Sequence, residues 1–330
     1  MSPRPVILLL AAAIVFSACS SDSSTEDATG LSLTAAEATP TALVAEATST
    51  PAPTVEPTPE STATPGPVPQ FPDVLLIASE GVPALTVDPQ LEQLINDYTG
   101  GAADVSVVVK HLDDGRGAVI NAGQDYNTAS LFKIFVMYEV FHQRDLGNLS
   151  FDEQLEVTQE WIDLSLGESV YTTPGQLVSI AGALEAMITV SDNVTANMLA
   201  DRAGWENMRA SVAGLGLSST QLRDGNRSTA ADVARFFEVL YSGGGFSSEA
   251  ANEMLNLLSL QQIRDRIPKY LPSGTQVANK TGNWSDATHD AGIVFGPSGA
   301  YVISVMTGRG AGHETIAEIS RIVYQYFNPG

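Results

Sequence analysis

Hydrophobic positions are unevenly spaced along the chain, and the spacing predicts its elements. Leu91, Leu94, Ile95 and Tyr98 recur at helical intervals behind Asp88, a natural N-cap, and the run ends at Gly100-Gly101. Val105-Ser106-Val107-Val108-Val109 reads as a strand, with Ala118-Val119-Ile120 as its partner across an Asp113-Asp114-Gly115 turn. Residues 128–138 are apolar on nearly every side, which predicts a buried helix. From there to about residue 270 the pattern is mostly helical, with helices over 183–190, 194–203 and 229–241. Strand character returns at 277–280, 291–295 and 301–306. A last helix over 314–326 puts Ile316, Ile319, Ile322, Val323 and Tyr326 on one stripe. This order predicts an α+β fold. An antiparallel sheet flanked by helices is built from both ends of the domain, residues 73–123 and 275–330, and an all-helical subdomain, 124–274, is inserted between them.

The first 72 residues follow neither period. Arg4 precedes an apolar stretch over 6–16, too short to span a bilayer, and Ser17-Ala18-Cys19 follows. This resembles a bacterial lipoprotein signal, in which the cysteine is lipidated and becomes the mature N-terminus; an ordinary cleaved signal peptide is the alternative. Residues 20–72, rich in Thr, Ala, Pro, Ser and Glu with no Lys or Arg, bury too little apolar surface to order and predict a disordered tether. The expectation is an exported protein, lipid-anchored at Cys19 on the outer face of the bacterial cell membrane.

Of the 330 residues, 38 are acidic and 16 basic, a net charge of −22, which argues against nucleic acid and anionic surfaces as partners. Cys19 is the sole cysteine, so no disulfide framework or Cys/His zinc site is expected. His111, His142 and His313 are scattered, with no metal-binding spacing. No cofactor is implied, and a monomer is expected.

Lys133 is the only charge in the buried run, and burying a lysine is costly unless it is paired or gives up its proton. Ser130 precedes it by three residues, on the same helical face and at a helix N-terminus, where free N–H groups favour a developing oxyanion. The plainer reading of this spacing alone is a helix whose lysine snorkels out past its neighbours. Two further short motifs follow: Ser191-Asp192-Asn193 in a loop between helices, and Lys280-Thr281-Gly282 at the end of a strand. Each alone is weak. Together, Ser-x-x-Lys, Ser-Asp-Asn and Lys-Thr-Gly in this order form an acyl-serine signature, and it contains two of the chain's lysines.

On these motifs the chain resembles the class A β-lactamase family over roughly residues 91–327. Met187 to Val190 before Ser191, and Thr195 to Leu199 after Asn193, agree with that family. The resemblance implies that Ser130 is the nucleophile and Lys133 its base or proton relay. It implies that Ser191 passes a proton to the departing nitrogen, with Lys280 holding it electrostatically. Asn193 would bind the substrate side-chain amide, Thr281 and Lys280 its carboxylate, and the N–H groups of Ser130 and Asn283 would form the oxyanion hole. His289 falls where many members carry a carboxylate-binding arginine, and a histidine capping the loop is the alternative. Asp290 reads as structural, and Trp284 either lines the cleft or packs beneath it.

One part of the pattern departs. Family members carry a glutamate in an Ω-shaped loop that activates the deacylating water. Here that loop, 217–229, is short, and no glutamate lies between Glu206 and Glu238. Asp224 is its only carboxylate and the candidate deacylation base, although a salt bridge to Arg223 or Arg227 is the favoured reading. The expected activity is that of a serine hydrolase acylated at Ser130 by β-lactams or related amides. The alternatives are a D-Ala-D-Ala-type peptidase acting on cell-wall peptide, or a β-lactam-binding protein without turnover.

Overall fold

Local sequence sets the first elements of the computed structural model, which describes residues 82–330 apart from 168 and 224. After β1 (Thr86–Val87), Asp88 accepts hydrogen bonds from the Gln90 and Leu91 N–H groups and opens α1 (Pro89–Thr99). Gly100, at φ 63°, closes that helix in the left-handed conformation glycine adopts without strain. β2 (Val105–His111), β3 (Arg116–Ile120) and the short β4 (Asp125–Asn127) follow. A 3-10 turn, Ala129–Leu131, then leads into α2 (Phe132–Asp145). The helical block continues as β5 (Gln154–Glu156), α3 (Gln159–Leu164), β6 (Leu177–Ser179), α4 (Ile180–Thr189), α5 (Asn193–Ala203), α6 (Trp205–Gly214), β7 (Arg227–Thr229), α7 (Ala230–Tyr241) and α8 (Ser248–Ser259). β8 (Gln276–Trp284), β9 (Ala287–Gly296), β10 (Gly299–Thr307) and α9 (His313–Phe327) complete the chain.

The main sheet has the order β1-β3-β2-β10-β9-β8. β10 joins the two chain ends: Ile303 pairs with Val109 on one side and Gly292 on the other, both antiparallel. The β1–β3 pairing is parallel. Alternation along β2 explains why all seven of its residues are buried. Val105, Val107 and Val109 pack with Leu91, Ile95, Ile316, Ile319 and Val323 of α1 and α9, whereas Val108 faces the core of the helical block. Such two-sided burial is what a strand of nearly continuous valine requires.

α2 runs through the helical core, with Ile134 to Phe141 buried all around. Three details differ from the sequence reading. Ser130 lies in the 3-10 turn ahead of α2 rather than within the helix. Lys280-Thr281-Gly282 sits in the middle of β8, which continues to Trp284 because β9 pairs with it throughout, from Gln276 to Trp284. The helical block also holds two small ribbons, β4–β7 and β5–β6, whose three-residue strands are too short to show a period of two. The predicted signal, Cys19 and the 20–72 tether lie outside the described residues. Among the described residues no helix is long and apolar enough to cross a membrane.

Candidate active site

The 3-10 turn carrying Ser130 packs against β8 and β9, and one glycine permits the approach. A Cβ at Gly282 would lie 2.9 Å from the Thr128 carbonyl oxygen and 3.3 Å from Leu131 Cγ, so any larger residue would push the turn off the strand. Ala129, just before Ser130, is held at φ 45°, and Ser191 at φ 63°. Both are non-glycine residues in the left-handed region, a strain that persists only where surrounding contacts enforce it.

Ser130, Asn193 and Asn283 line a cleft of about 500 Å³, with Trp284 on the same strand and Leu164 and Leu166 from α3 and the loop after it. Trp284 is therefore a cleft residue, and it is largely exposed. Lys133, Lys280 and Thr281 are buried. Ser191 bridges the two lysines: its Oγ accepts from Lys133 Nζ at 3.1 Å and from Lys280 Nζ at 3.0 Å. Lys133 Nζ also donates to the Ser191 carbonyl and, at 2.6 Å, to Asn193 Oδ1. Lys280 Nζ also donates to the Thr281 carbonyl at 3.0 Å.

Two ammonium groups sharing one buried hydroxyl repel each other and lose hydration. Burial lowers the Lys133 pKa to about 7, with Asp192 partly offsetting it. Lys280 is pushed well below the usual lysine range by burial and by Lys133. A neutral amine at this position can accept a proton.

The expected contact between Ser130 and Lys133 is absent. Ser130 Oγ has no hydrogen-bond partner among the described residues and opens to the cleft, while the amine reaches across to Ser191 and Asn193. Ser130 lies in the 3-10 turn and Lys133 in the first turn of α2, and the amine is held by acceptors in the Ser191–Asn193 loop instead.

Asp192 fixes the loop. Its Oδ1 accepts from Thr195 N–H at 2.8 Å and caps α5, while Oδ2 accepts from Ser169 Oγ at 2.6 Å and Val170 N–H at 2.7 Å. Asn193 Nδ2 donates to the Leu166 carbonyl, so the segment bearing Leu166 is tied to the same loop.

His289 does not line the cleft. It is fully buried, Nε2 donates to the Asn127 carbonyl at 2.7 Å, and Nδ1 accepts the Thr307 N–H at 3.2 Å. With both nitrogens engaged inside the protein, burial lowers its pKa to about 4 and keeps it neutral. That corrects the carboxylate-binding expectation, because β9 places residue 289 inward. Asp290 is also fully buried, accepting from Ile267 N–H at 3.0 Å and Asn279 Nδ2 at 2.8 Å, and burial raises its pKa to about 7. A cation the sequence reading missed lies beside the strand. Arg266 Nη1 donates to the His289 carbonyl at 3.1 Å and the Gly282 carbonyl at 3.4 Å, and Nη2 lies 2.9 Å from His313 Nε2. No sequence motif marks Arg266; its position follows from the fold.

The cleft wall formed by the loop before β7 carries Arg223, Gly225 and Asn226. Asp224, the candidate deacylation base, lies outside the described residues. Arg227 pairs with Asp125 on the adjacent strand. Among the described residues no carboxylate lines the cleft and no group of three or more His, Cys, Asp or Glu could hold a metal ion.

Three comparisons bear on this arrangement. A family model, that of the beta-lactamase enzyme family, matches residues 86–327. The extended-spectrum beta-lactamase PER-1 of Pseudomonas aeruginosa is 23% identical over 265 residues, covering 71% of this chain and 86% of that protein. The solved structure of PBP-A matches with a TM-score of 0.71 at 25% identity, over 76% of this chain and all of that one. A mutant of PBP-A, solved as an acyl-enzyme complex with penicillin G, matches with the same figures.

Proposed function

Because the chain belongs to the beta-lactamase enzyme family, we propose that it is a class A-like serine hydrolase that takes β-lactams or related amides through an acyl-Ser130 intermediate. The observation that carries the reading is the Ser191 hydroxyl held between Lys133 and Lys280, beside a cleft into which Ser130 opens. Ser130 attacks the amide carbonyl as its proton passes to the neutral Lys133 amine, a contact that substrate binding closes. The oxyanion is received by the N–H groups of Ser130 and Asn283. Ser191, re-protonated through the lysine pair, hands a proton to the departing nitrogen. Asn193 binds the acyl-side amide, and Thr281 and Lys280 the substrate carboxylate.

Deacylation follows a different logic. The Ω-loop glutamate is missing, and no described carboxylate lines the cleft. Losing general-base help slows water attack by about 10²–10⁴-fold. The acyl-enzyme is therefore long-lived, and slow β-lactam hydrolysis is the expected turnover. The same cleft composition, with the likeness to PBP-A, favours a second reading: a D-Ala-D-Ala-type peptidase whose acyl group leaves by another route. Intact-protein mass after addition of penicillin tests both. An adduct that decays as hydrolysed drug accumulates supports the lactamase, and one that persists for hours supports the peptidase or a binding protein. No adduct refutes the acyl-enzyme reading.

The address is proposed on sequence alone. Cys19 is lipidated after export, and residues 20–72 hold the catalytic domain off the outer face of the cell membrane, as a monomer. Radiolabelled fatty acid should enter the wild-type protein and not Cys19→Ser; equal labelling of both would refute the anchor.

A further inference from the structure

In a chain with 38 acidic residues and 16 basic ones, an arginine without a carboxylate partner calls for a reason. Most of the described arginines have one: Arg116, Arg202, Arg227 and Arg321, for example, each pair with Asp or Glu. Arg223 does not. It is exposed, lines the cleft, and its guanidinium makes no hydrogen bond or ion pair with any described residue. Its backbone sits at φ 85°, a conformation that arginine rarely adopts.

What holds that conformation also prepares the wall around it. The Arg223 N–H donates to Asn226 Oδ1 at 2.8 Å. An amide oxygen committed to a backbone N–H fixes which way the amide points, so Asn226 Nδ2 is left as a donor without a partner among the described residues. Asn127 repeats the device: its Oδ1 accepts the Ala129 N–H at 2.8 Å, and its Nδ2 too has no partner among the described residues. The β4–β7 ribbon brings the two together, since Asn127 pairs with Arg227, and the Thr128 N–H donates to the Asn226 carbonyl at 2.7 Å. All three residues line the same cleft as Ser130.

We propose that Arg223, with the Nδ2 groups of Asn127 and Asn226, forms a second acid-recognition subsite that takes a carboxylate on the acyl portion of the substrate. The proposal rests on the acyl-Ser130 reading and specifies its substrate class: an amide acidic on both sides of the bond that is cleaved. The leaving-side carboxylate is assigned to Thr281 and Lys280 on β8, whereas this wall belongs to β4 and the loop before β7, so the two acids are received by different elements. A planar guanidinium and two amide donors on one cleft wall suit the paired oxygens of a carboxylate. A neutral acyl group leaves Arg223 in solvent and loses little.

Benzylpenicillin and its α-carboxy analogue differ by one side-chain carboxylate and separate the effect. Second-order acylation rates of the full chain are measured for both by intact-protein mass. Arg223→Gln should slow acylation by the α-carboxy analogue about tenfold and leave benzylpenicillin unchanged, with Arg223→Lys in between. Equal losses for both penicillins, or none for either, overturn the subsite. Equilibrium binding of the same pair to Ser130→Ala reads the preference with no acylation step. If wild-type protein is not acylated, the function reading fails, and this titration still decides the subsite: a preference for the carboxylated ligand that Arg223→Gln abolishes supports it, and equal affinity refutes it.

Discussion

The lowered pKa of Lys133 makes the pH dependence of acylation a direct test of its role. If the neutral amine is the base, the acylation rate follows the fraction of Lys133 without its extra proton. With a pKa of about 7, that fraction is roughly 1/11 at pH 6 and 10/11 at pH 8, so the rate should rise about tenfold between them. An unperturbed lysine would give a rise of about 100-fold over the same interval with no plateau, because its neutral fraction is still growing tenfold per unit. The assay is the initial rate of penicillin labelling by intact-protein mass from pH 5.5 to 9. Asp290 also titrates at about 7, so Asp290→Asn is measured alongside and should retain the inflection. Lys133→Ala should remove it and lower the rate by about 10²–10⁴-fold. A flat or falling profile in wild-type protein would refute Lys133 as the accepting base.

Asp192→Ala removes the acceptor for the Thr195, Ser169 and Val170 groups and should destabilise the fold by about 2–4 kcal/mol in urea titrations. Because Asp192 raises the Lys133 pKa, the acylation inflection should also move to lower pH. Gly282→Ala forces the Ser130 turn away from β8 and should slow labelling by about 100-fold while the protein remains folded by circular dichroism. His289 gives the chain an acid-sensitive core. Its folded pKa of about 4 lies below the ordinary 6.5, so the unfolded chain binds the extra proton between those values. Stability should hold above pH 6.5 and fall by about 3 kcal/mol as pH drops to 4. In chemical denaturation at stepped pH, His289→Gln should show a weaker slope in that window; an unchanged slope would show that other groups cause it.

Hydrophobic pattern alone located α1 and α9 by their repeating apolar face, and the buried α2, the β2–β3 hairpin and the late strands as apolar runs bounded by turn residues. It also assigned the sheet to the two chain ends, since strands at both termini around a helical block leave few other assemblies. Three short motifs named Ser130, Lys133, Ser191, Asn193, Lys280 and Thr281, for each pairs a reactive side chain with close neighbours that the chemistry requires. What sequence could not supply was direction. His289 and Thr281 are both on sheet strands, and only the folded chain brings His289 to Asn127 of β4 and Thr307 of β10. The Lys133 amine is held by Ser191, 58 residues away, a contact that no local spacing announces. Arg223, Asn127 and Asn226 had no signal at all: 96 positions separate Asn127 from Arg223 in the chain, and a ribbon of three-residue strands joins them. Local pattern records which face of an element is apolar, and it records reactive groups that must be near neighbours in sequence. Contacts between distant segments are free energies of packing and pairing, and they exist only once the chain has closed.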